Sequence, residues 1–498
     1  PDPQVPPYGL YAWCGEYSSY RNEIKQIGWC NIRISGPMSD NCMRQLVEDS
    51  MNVMMTFSSR LLGGKNRSDY NSDEEFINAY LDAIDNFLTR YGPGGTFFTD
   101  NPDLPVRPIE YVEIWNEPNF QYMIPDYEPR SACEAERESL YAKVLPAAYQ
   151  AIKAKWPTVK VVGFGAGGAA SADLRFIEHV HAIDTVVAHS YDILSTHPYV
   201  NPAPPEGQNL KGVKVAPNLA VIRTILDTNG VKDVPIWYTE MGWPISQAEG
   251  GRYSMGEDVT VTQRFQAAYV CRAYAMAMRF NVERINIMFV TDTDGFNGGF
   301  FNSNRTWRES AWAVKTMIEV MPHPKLVGAI NDGDSYWFAY KFLDNIKSAT
   351  PETVIMAWDI KKPRLVQLNL KVGAATVIDM LGNRTTITEN SEIEIGPCPV
   401  YIKGANIVGI NEPGNDQKKE MINLVSLPNP FQKEVIFNLA LPYAAKIELK
   451  IFNLPGEIVG GIASRVLPAG EYQFKFCLLY TSDAADELDG VDLGGRRI

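Results

Sequence analysis

The chain has no apolar run near the ~18 residues that a membrane-spanning helix needs, so insertion into a bilayer is not expected. Positive charge is also short: 46 Lys and Arg stand against 59 Asp and Glu, a formal net charge of −13. Such a surface repels phosphate backbones and anionic headgroups, which argues against nucleic acid or an anionic membrane as partner. A neutral polymer or small molecule fits better. Histidine is scarce, and the seven cysteines at 14, 30, 42, 133, 271, 398 and 477 form no CxxC and no Cys/His ligand spacing. Neither a metal nor another cofactor is therefore expected. The one H-x-H pair, His179 and His181, would point its rings apart on a helix. Cys14, Cys30 and Cys42 could hold one disulfide, with free buried thiols as the alternative. The sequence opens on Pro1 rather than Met, so an upstream segment such as an export signal is expected.

What is present is an ordinary globular composition, 45% hydrophobic and 21% charged, long enough for two to four domains. From residue 8 to about 320, short β-rich runs alternate with longer amphipathic ones. The strand candidates are 8–13, 30–35, 52–59, 111–115, 159–165, 191–199, 234–240 and 284–290; helical patterns cover 73–91, 134–156, 216–230 and 258–280. Eight strands separated by helices predict a (β/α)8 barrel over 1–322. A doubly wound open sheet is the alternative, but no glycine-rich phosphate turn follows its first strand. Beyond Met321-Pro322-His323-Pro324 the strands lose their helices, which predicts a β-sandwich over 323–408. Residues 409–421, GINEPGNDQKKEM, read as a linker, and 422–476 as a further, immunoglobulin-like β domain.

Asn-Glu-Pro occurs twice, at 116–118 and at 411–413. The second copy runs into the polar linker, where turn-forming residues are expected anyway. The first closes YVEIW at the end of the predicted fourth strand, and Glu240 closes VPIWYTE at the end of the seventh. Strand C-termini are where a barrel gathers its catalytic groups, so two carboxylates distant in sequence would meet across one mouth. Glycosidic bond hydrolysis needs such a pair: an acid for the leaving oxygen, and a carboxylate to attack or to activate water. Arg33 ends the second strand, and it has Glu113, of the same strand parity as Glu117, as a competing partner.

With EIWNEPN, WYTEMGWP and the sandwich behind the barrel, the first 400 residues resemble glycoside hydrolase clan A, and most of all its family thirty-nine and relatives. That family includes β-xylosidases, α-iduronidases and endo-acting polysaccharide hydrolases. The resemblance implies Glu117 as acid/base, Glu240 as nucleophile and Asn116 as partner of the sugar 2-hydroxyl. It further implies that Arg33 holds the nucleophile ionised and that His197 and Tyr199 border it. Trp243 and Trp115 are the first candidates for stacking on sugar rings, with Tyr122, Trp237, Phe300, Phe301 and Trp307 behind them. The clan often carries a Trp at the end of strand eight, where this chain has Met288 and Phe289, so no single sugar preference transfers. Asp292 and Asp294 either bind hydroxyls or cap the next helix.

Residues 422–476, with LPNPF and LPAGEYQFKF, resemble the C-terminal sorting domains of the type IX secretion system. That likeness implies a secreted or cell-surface protein handled by the secretion machinery. Residues 477–498 resemble the conceptual translation of sequencing-adapter DNA and are set apart from the functional reading. That stretch holds five acids and two arginines, so without it the net charge is −10. The expected function is hydrolysis of β-glycosidic bonds in a polysaccharide or oligosaccharide by double displacement. The competing class is a non-catalytic carbohydrate-binding surface protein built on a hydrolase-like barrel.

Overall fold

In the computed structural model the described residues are 5–168, 172–206, 215–231, 233–293, 295–333, 336–370, 373–388, 391–404 and 407–411, with strands between 423 and 477. Eight parallel strands close into a barrel in the order β1 to β8: β1 (Tyr8–Ala12), β2 (Asn31–Ser35), β3 (Asn52–Phe57), β4 (Tyr111–Ile114), β5 (Lys160–Gly167), β6 (Ile193–His197), β7 (Ile236–Met241) and β8 (Val282–Ile287). Helices α1 (Cys14–Ile27), α2 (Asp40–Glu48), α3 (Asp73–Tyr91), α4 (Thr96–Asp100) and α5 (Arg130–Lys155) follow the first strands. Around the second half run α6 (Ala172–Ile183), α7 (Val215–Thr228), α8 (Gln263–Arg279) and α9 (Glu309–Val320). None of the described helices is long and apolar enough to cross a membrane.

The strand residues alternate as a barrel demands. On β2, Ile32 and Ile34 pack outward into the core shared with the helices, while Asn31, Arg33 and Ser35 are polar and buried. On β4, Val112 and Ile114 face outward and Glu113 lies inside; on β6, Leu194 packs outward, with Ser195 and His197 on the other parity. Each apolar side chain removed from water on the outer face contributes about 1.5–3 kcal/mol. Local signals support the helices: Ser72 caps α3 by accepting from the Glu75 amide, and three acids fill its first turn. Cys14, at the start of α1, is disulfide-bonded to Cys42 of α2, and Cys30 is free.

The sandwich follows α9. One sheet has six antiparallel strands in the order β14-β13-β16-β11-β10-β9, and the other three, β15-β12-β17. Their ranges are β9 (Lys325–Asp332), β10 (Trp337–Leu343), β11 (Thr353–Asp359), β12 (Arg364–Leu370), β13 (Ala374–Ile378), β14 (Arg384–Thr388), β15 (Glu392–Ile395), β16 (Val400–Lys403) and β17 (Ile407–Asn411). The larger sheet is apolar on both faces. Trp337, Ala339, Ile355 and Ala357 meet Val366, Ile393 and Ile395 of the smaller sheet. The alternate residues Phe338, Tyr340, Phe342, Val354, Met356 and Trp358 join the core of the barrel. β17 pairs antiparallel with β12, Asn411 opposite Gln367, so the stretch read as linker begins inside a strand. The rest of it, 412–421, lies outside the described residues.

Residues 412–498 form a second compact unit. Within it β18 (Asn423–Leu427), β19 (Glu434–Leu441) and β22 (Gly470–Cys477) make one antiparallel sheet, and β20 (Ala445–Phe452) pairs with β21 (Ile458–Leu467). Residues 478–498, most of the adapter-like stretch, lie outside the described residues.

Barrel and sandwich are joined by a buried ion pair. Arg272 of α8 donates through Nε to Glu206 Oε1 (2.8 Å) and through Nη2 to Oε2, and donates also to the Pro397 carbonyl (3.1 Å). The Trp358 indole donates to the same Glu206 Oε1 (2.7 Å), and both charged side chains are 3% exposed or less. Removing the carboxylate leaves a guanidinium and an indole N–H buried with a partner missing. Glu206→Ala is therefore expected to lose about 3–5 kcal/mol of stability, read as a shift of the urea unfolding midpoint. A loss below about 1 kcal/mol, the range of exposed pairs, would show that the clasp is not structural.

Candidate active site

Glu117 does not simply continue β4. Trp115 and Glu117 both have positive φ, 71° and 47°, a backbone region that side-chain-bearing residues rarely adopt. Three main-chain bonds hold this turn: Trp115 N to Phe57 O (3.1 Å), Glu117 N to Gly165 O (2.9 Å) and Phe120 N to Glu117 O (2.9 Å). Gly167 makes room for the carboxyl. A Cβ there would stand 2.9 Å from Glu117 Oε1 and 2.2 Å from the Phe120 ring.

Glu240 reaches the mouth by a different device. Tyr238 pairs with Ile285 but Met241 with Ile287, so β7 carries one residue more than β8 across that interval. The bulge re-aims the strand end. Thr239, with the inward parity of Trp237, lies behind, and Glu240 turns toward the opening although its number has the outward parity.

The two carboxyls meet there. Glu117, His197 and Glu240 each place an oxygen or nitrogen within 4.8 Å of the others, and each glutamate is only 9% exposed. Arg33 is fully buried and shared: Nη1 donates to Glu240 Oε2 (2.8 Å), Nε and Nη2 to Glu113 Oε2 (2.9 and 2.6 Å), and Nη2 to Asn116 Oδ1 (2.7 Å). Both partners weighed for Arg33 are thus engaged at once. Asn116, its oxygen held by Arg33, has the donor end of its amide left for another acceptor. Thr56 and Ser195 hydroxyls complete the shell of Glu113 at 2.9 and 3.0 Å. Burial pushes the Glu113 carboxyl up, but Arg33, His197 and the Thr239 hydroxyl outweigh it and hold it below the usual range.

The Tyr199 hydroxyl donates to Glu240 Oε1 at 2.7 Å. His197 Nδ1 lies 3.1 Å from Glu117 Oε1, and its Nε2 lies 3.1 Å from Thr239 Oγ1. Thr239 also hydrogen-bonds Glu113. Burial works against a charged ring, yet Glu240 and Glu117 overcome it and raise the His197 pKa.

Burial raises the Glu117 pKa; the His197 hydrogen bond pulls it down, the Glu240 charge adds to the rise, and the net direction is upward. The arrangement therefore offers a carboxyl that holds its proton more tightly than usual, facing a second one gripped by a guanidinium and a phenol.

Other expected residues fall elsewhere. The Trp115 indole is fully buried against Phe76 and Tyr80, because the positive-φ turn sends it outward rather than into the mouth. Trp243 is 1% exposed, packs edge-on to Tyr269 and donates its N–H to Ala203 O (2.8 Å). Neither has an open face for a sugar, which corrects the stacking role expected of both. Trp237, Phe300 and Phe301 are buried too, and Trp307 packs on Phe301 and Trp312. Tyr122, half exposed, stands near enough for Glu117 and Glu240 to raise its pKa after burial does. Asp292 neither caps a helix nor is free for hydroxyls: Arg308 grips it at 2.7 and 2.6 Å. Asp294 lies outside the described residues.

The aromatic wall beside Glu240 was not foreseen. Tyr11, 4.8 Å below the Arg33 guanidinium, Trp13 and Phe289 pack together, with Trp13 and Phe289 rings stacked at 5.2 Å and 20°. Their positions on β1 and just after β8 were the available signal, since those strand ends neighbour each other in a closed barrel.

A closed (β/α)8 barrel carrying a carboxyl pair at its C-terminal mouth, with a β-sandwich packed on its side, is the class of fold these observations define. No protein-family model matches the chain, and no curated protein sequence does. Solved structures do. A family 39 glycoside hydrolase from Bacteroides cellulosilyticus WH2 aligns with a TM-score of 0.59 and 17% identity over 81% of each chain. The GH39 enzyme from Xanthomonas axonopodis pv. citri gives 0.51 and 12%, covering 83% of this chain and 95% of its own. AbfB, a family 51 α-L-arabinofuranosidase from Bifidobacterium longum, gives 0.53 and 12%, covering 81% and 96%. At these identities the likeness is one of fold.

The raised pKa of Glu117 has a measurable cost. Its acid form is favoured in the folded state, so the residue opposes folding above its folded pKa and is neutral below its unfolded one. Glu117→Gln is therefore expected to raise the melting temperature at pH 7–8 and to leave it unchanged near pH 4, each unit of elevation being worth about 1.4 kcal/mol. An equal effect at both pH values would refute the assignment of a raised pKa.

Proposed function

We propose that the chain is a retaining glycoside hydrolase that cleaves β-glycosidic bonds of a polysaccharide or oligosaccharide, with Glu117 as acid/base and Glu240 as nucleophile. The observation that carries this reading is the carboxyl pair itself: facing oxygens within 4.8 Å, in environments that differ. Retaining enzymes hold such a pair about 5–5.5 Å apart, whereas inverting ones leave about 6.5–9.5 Å for a water.

In the first step Glu117, kept protonated, gives its proton to the leaving glycosidic oxygen while Glu240 attacks the anomeric carbon. Arg33 and Tyr199 hold the two Glu240 oxygens in place for attack. Once Glu240 is esterified its negative charge is gone, and with it one of the causes that raise Glu117. The Glu117 pKa then falls, and the same residue can take a proton from the water that frees the sugar. The donor end of Asn116 is available to the hydroxyl next to the anomeric carbon. Arg33 links that amide to the nucleophile, so both move as one group. No cofactor enters either step.

The solved structures named above are described as glycoside hydrolases, and the shared fold supports the same class here. We read the protein as secreted or displayed at the cell surface, on the sorting-domain likeness of residues 422–476. The Cys14–Cys42 disulfide, a bond that persists in oxidising compartments, is consistent with export.

Hydrolysis of β-linked aryl glycosides and oligosaccharides, followed by proton NMR, tests the reading. The β-anomer should appear first. Glu117→Ala should lower kcat by about 10²–10⁴-fold on substrates with poor leaving groups, and much less on activated aryl ones, which leave without a proton. Glu240→Ala should abolish turnover of both. An α-anomer appearing first would refute retention. Full activity in either variant would refute the roles and leave a carbohydrate-binding protein on a hydrolase-like barrel.

A further inference from the structure

The loop that follows β3 presents a cation to the mouth. Ser58 accepts from the Arg60 amide (3.4 Å), and Leu61 and Leu62 pack into the core. Arg67 ties the loop down, through its ion pair to Asp73 (2.6 Å) and its amide to the Met123 carbonyl of the loop after β4 (3.1 Å). On this anchored base the exposed Arg60 guanidinium carbon stands 5.2 Å from the centre of the Trp13 ring. Gly36, just past β2 with φ +100°, brings its main chain against both side chains: a Cβ there would lie 3.5 Å from Arg60 Cδ and 3.9 Å from Trp13 Cδ1. The ends of β1, β2 and β3 thus converge on one stacked pair. That pair adjoins the reacting groups, since Trp13 stacks on Phe289 and sits 5.9 Å from Tyr11, the ring beneath Arg33. Burial raises the Tyr11 hydroxyl to about 12 against the pull of Arg33 and, more weakly, of Arg60, whose charge is felt there.

Among the described residues Arg60 has no carboxylate partner, although the chain carries an excess of 13 negative charges. The buried arginines Arg33, Arg137, Arg272 and Arg308 are paired with carboxylates, whereas buried Arg284 packs on the Trp237 ring, 4.0 Å from its centre, inside the barrel and away from the mouth. Stacking engages one face of a guanidinium and leaves its in-plane N–H groups free, and that fork matches a carboxylate or a sulfate bidentately. A neutral glycan would need no such group on a surface that otherwise repels anions.

We propose that Arg60, held on Trp13, recognises an anionic substituent of the glycan beside the cleavage point: a uronate carboxylate or a sulfate ester. The proposal rests on the hydrolase reading of the same cleft. It sharpens the expectation of a neutral polymer, which followed from the overall charge and did not see this local exception.

The test uses two matched substrate pairs, a uronate-bearing oligosaccharide with its carboxyl-reduced counterpart and a sulfated one with its desulfated counterpart. The full chain and its Arg60→Gln and Arg60→Lys variants are compared on each. The expected result is a kcat/KM preference of roughly ten- to hundredfold for the anionic member of one pair, the range of a charge-assisted hydrogen bond. The preference should be expressed in KM and weaken with salt, and the pair that shows it identifies the anion. In Arg60→Gln the ratio of anionic to neutral should fall to about one, with Arg60→Lys between. No preference in the native chain, or a preference that survives Arg60→Gln, overturns the proposal. Calorimetric binding of the same four glycans to the native chain and to Arg60→Gln separates the two claims. Anion-dependent binding lost in the variant, without hydrolysis of any glycan, supports Arg60 and counts against the hydrolase; equal binding to both overturns Arg60 whatever the turnover.

Discussion

The site is organised around one guanidinium. Arg33, fully buried on β2, holds the carboxyls of Glu113 and Glu240 and the amide of Asn116 with four donor contacts between 2.6 and 2.9 Å. A buried cation of this kind is tolerable only when its donors are satisfied, so the three acceptors are constrained to the positions the fork dictates. They come from β4 and β7, which do not neighbour each other in the barrel order. The relative position of Glu117, next to Asn116, and Glu240 is therefore set through a single side chain. His197 adds a second link, between Glu117 and Thr239. Burial, with the charge of Glu240 beside it, outweighs the pull of His197 and Arg33 and raises the Glu117 pKa.

Much of this was legible in the sequence. The eight strand runs, the change of pattern after residue 321 and the two glutamates closing strands four and seven follow from periodicity and strand order. Arg33, His197 and Tyr199 followed from the likeness to clan A, and each touches one of the two glutamates. The rest depended on local departures from periodicity. Strand parity counts Trp115 with Glu113 and Glu117, but a left-handed residue reverses the side chain and sends the indole outward. The bulge in β7 brings Glu240 to the mouth with the parity of Tyr238, which packs outward. Trp243 lies close to Glu240 in sequence, and tertiary packing against α8 decided its fate. Asp292 was invisible as an ion-pair partner because Arg308 approaches it from a loop 16 residues on.

The cleft also divides its labour by layer. Hydroxyls and charges below the mouth, Thr56, Ser195, Thr239 and Glu113, touch other protein groups and keep Arg33 and His197 in place. Aromatic side chains from β1 and from the segment after β8 form one wall, and the cation of Arg60 stands on top of it. Position along the strand axis thus separates what holds the chemistry from what can choose the substrate.

The six-stranded sheet of the sandwich has a consequence for how this protein could be divided or recombined. One of its faces belongs to the small sheet and the other to the barrel, with Trp358 reaching Glu206 and Arg272 across the boundary. A gene cut after residue 322 would not yield an intact barrel with its accessory part removed. It would open the flank of the barrel and leave a paired charge facing water on one side only. The sandwich is, in effect, a ninth piece of the barrel's outer shell, encoded after the barrel is complete, and any exchange of barrels between such chains has to move the two together.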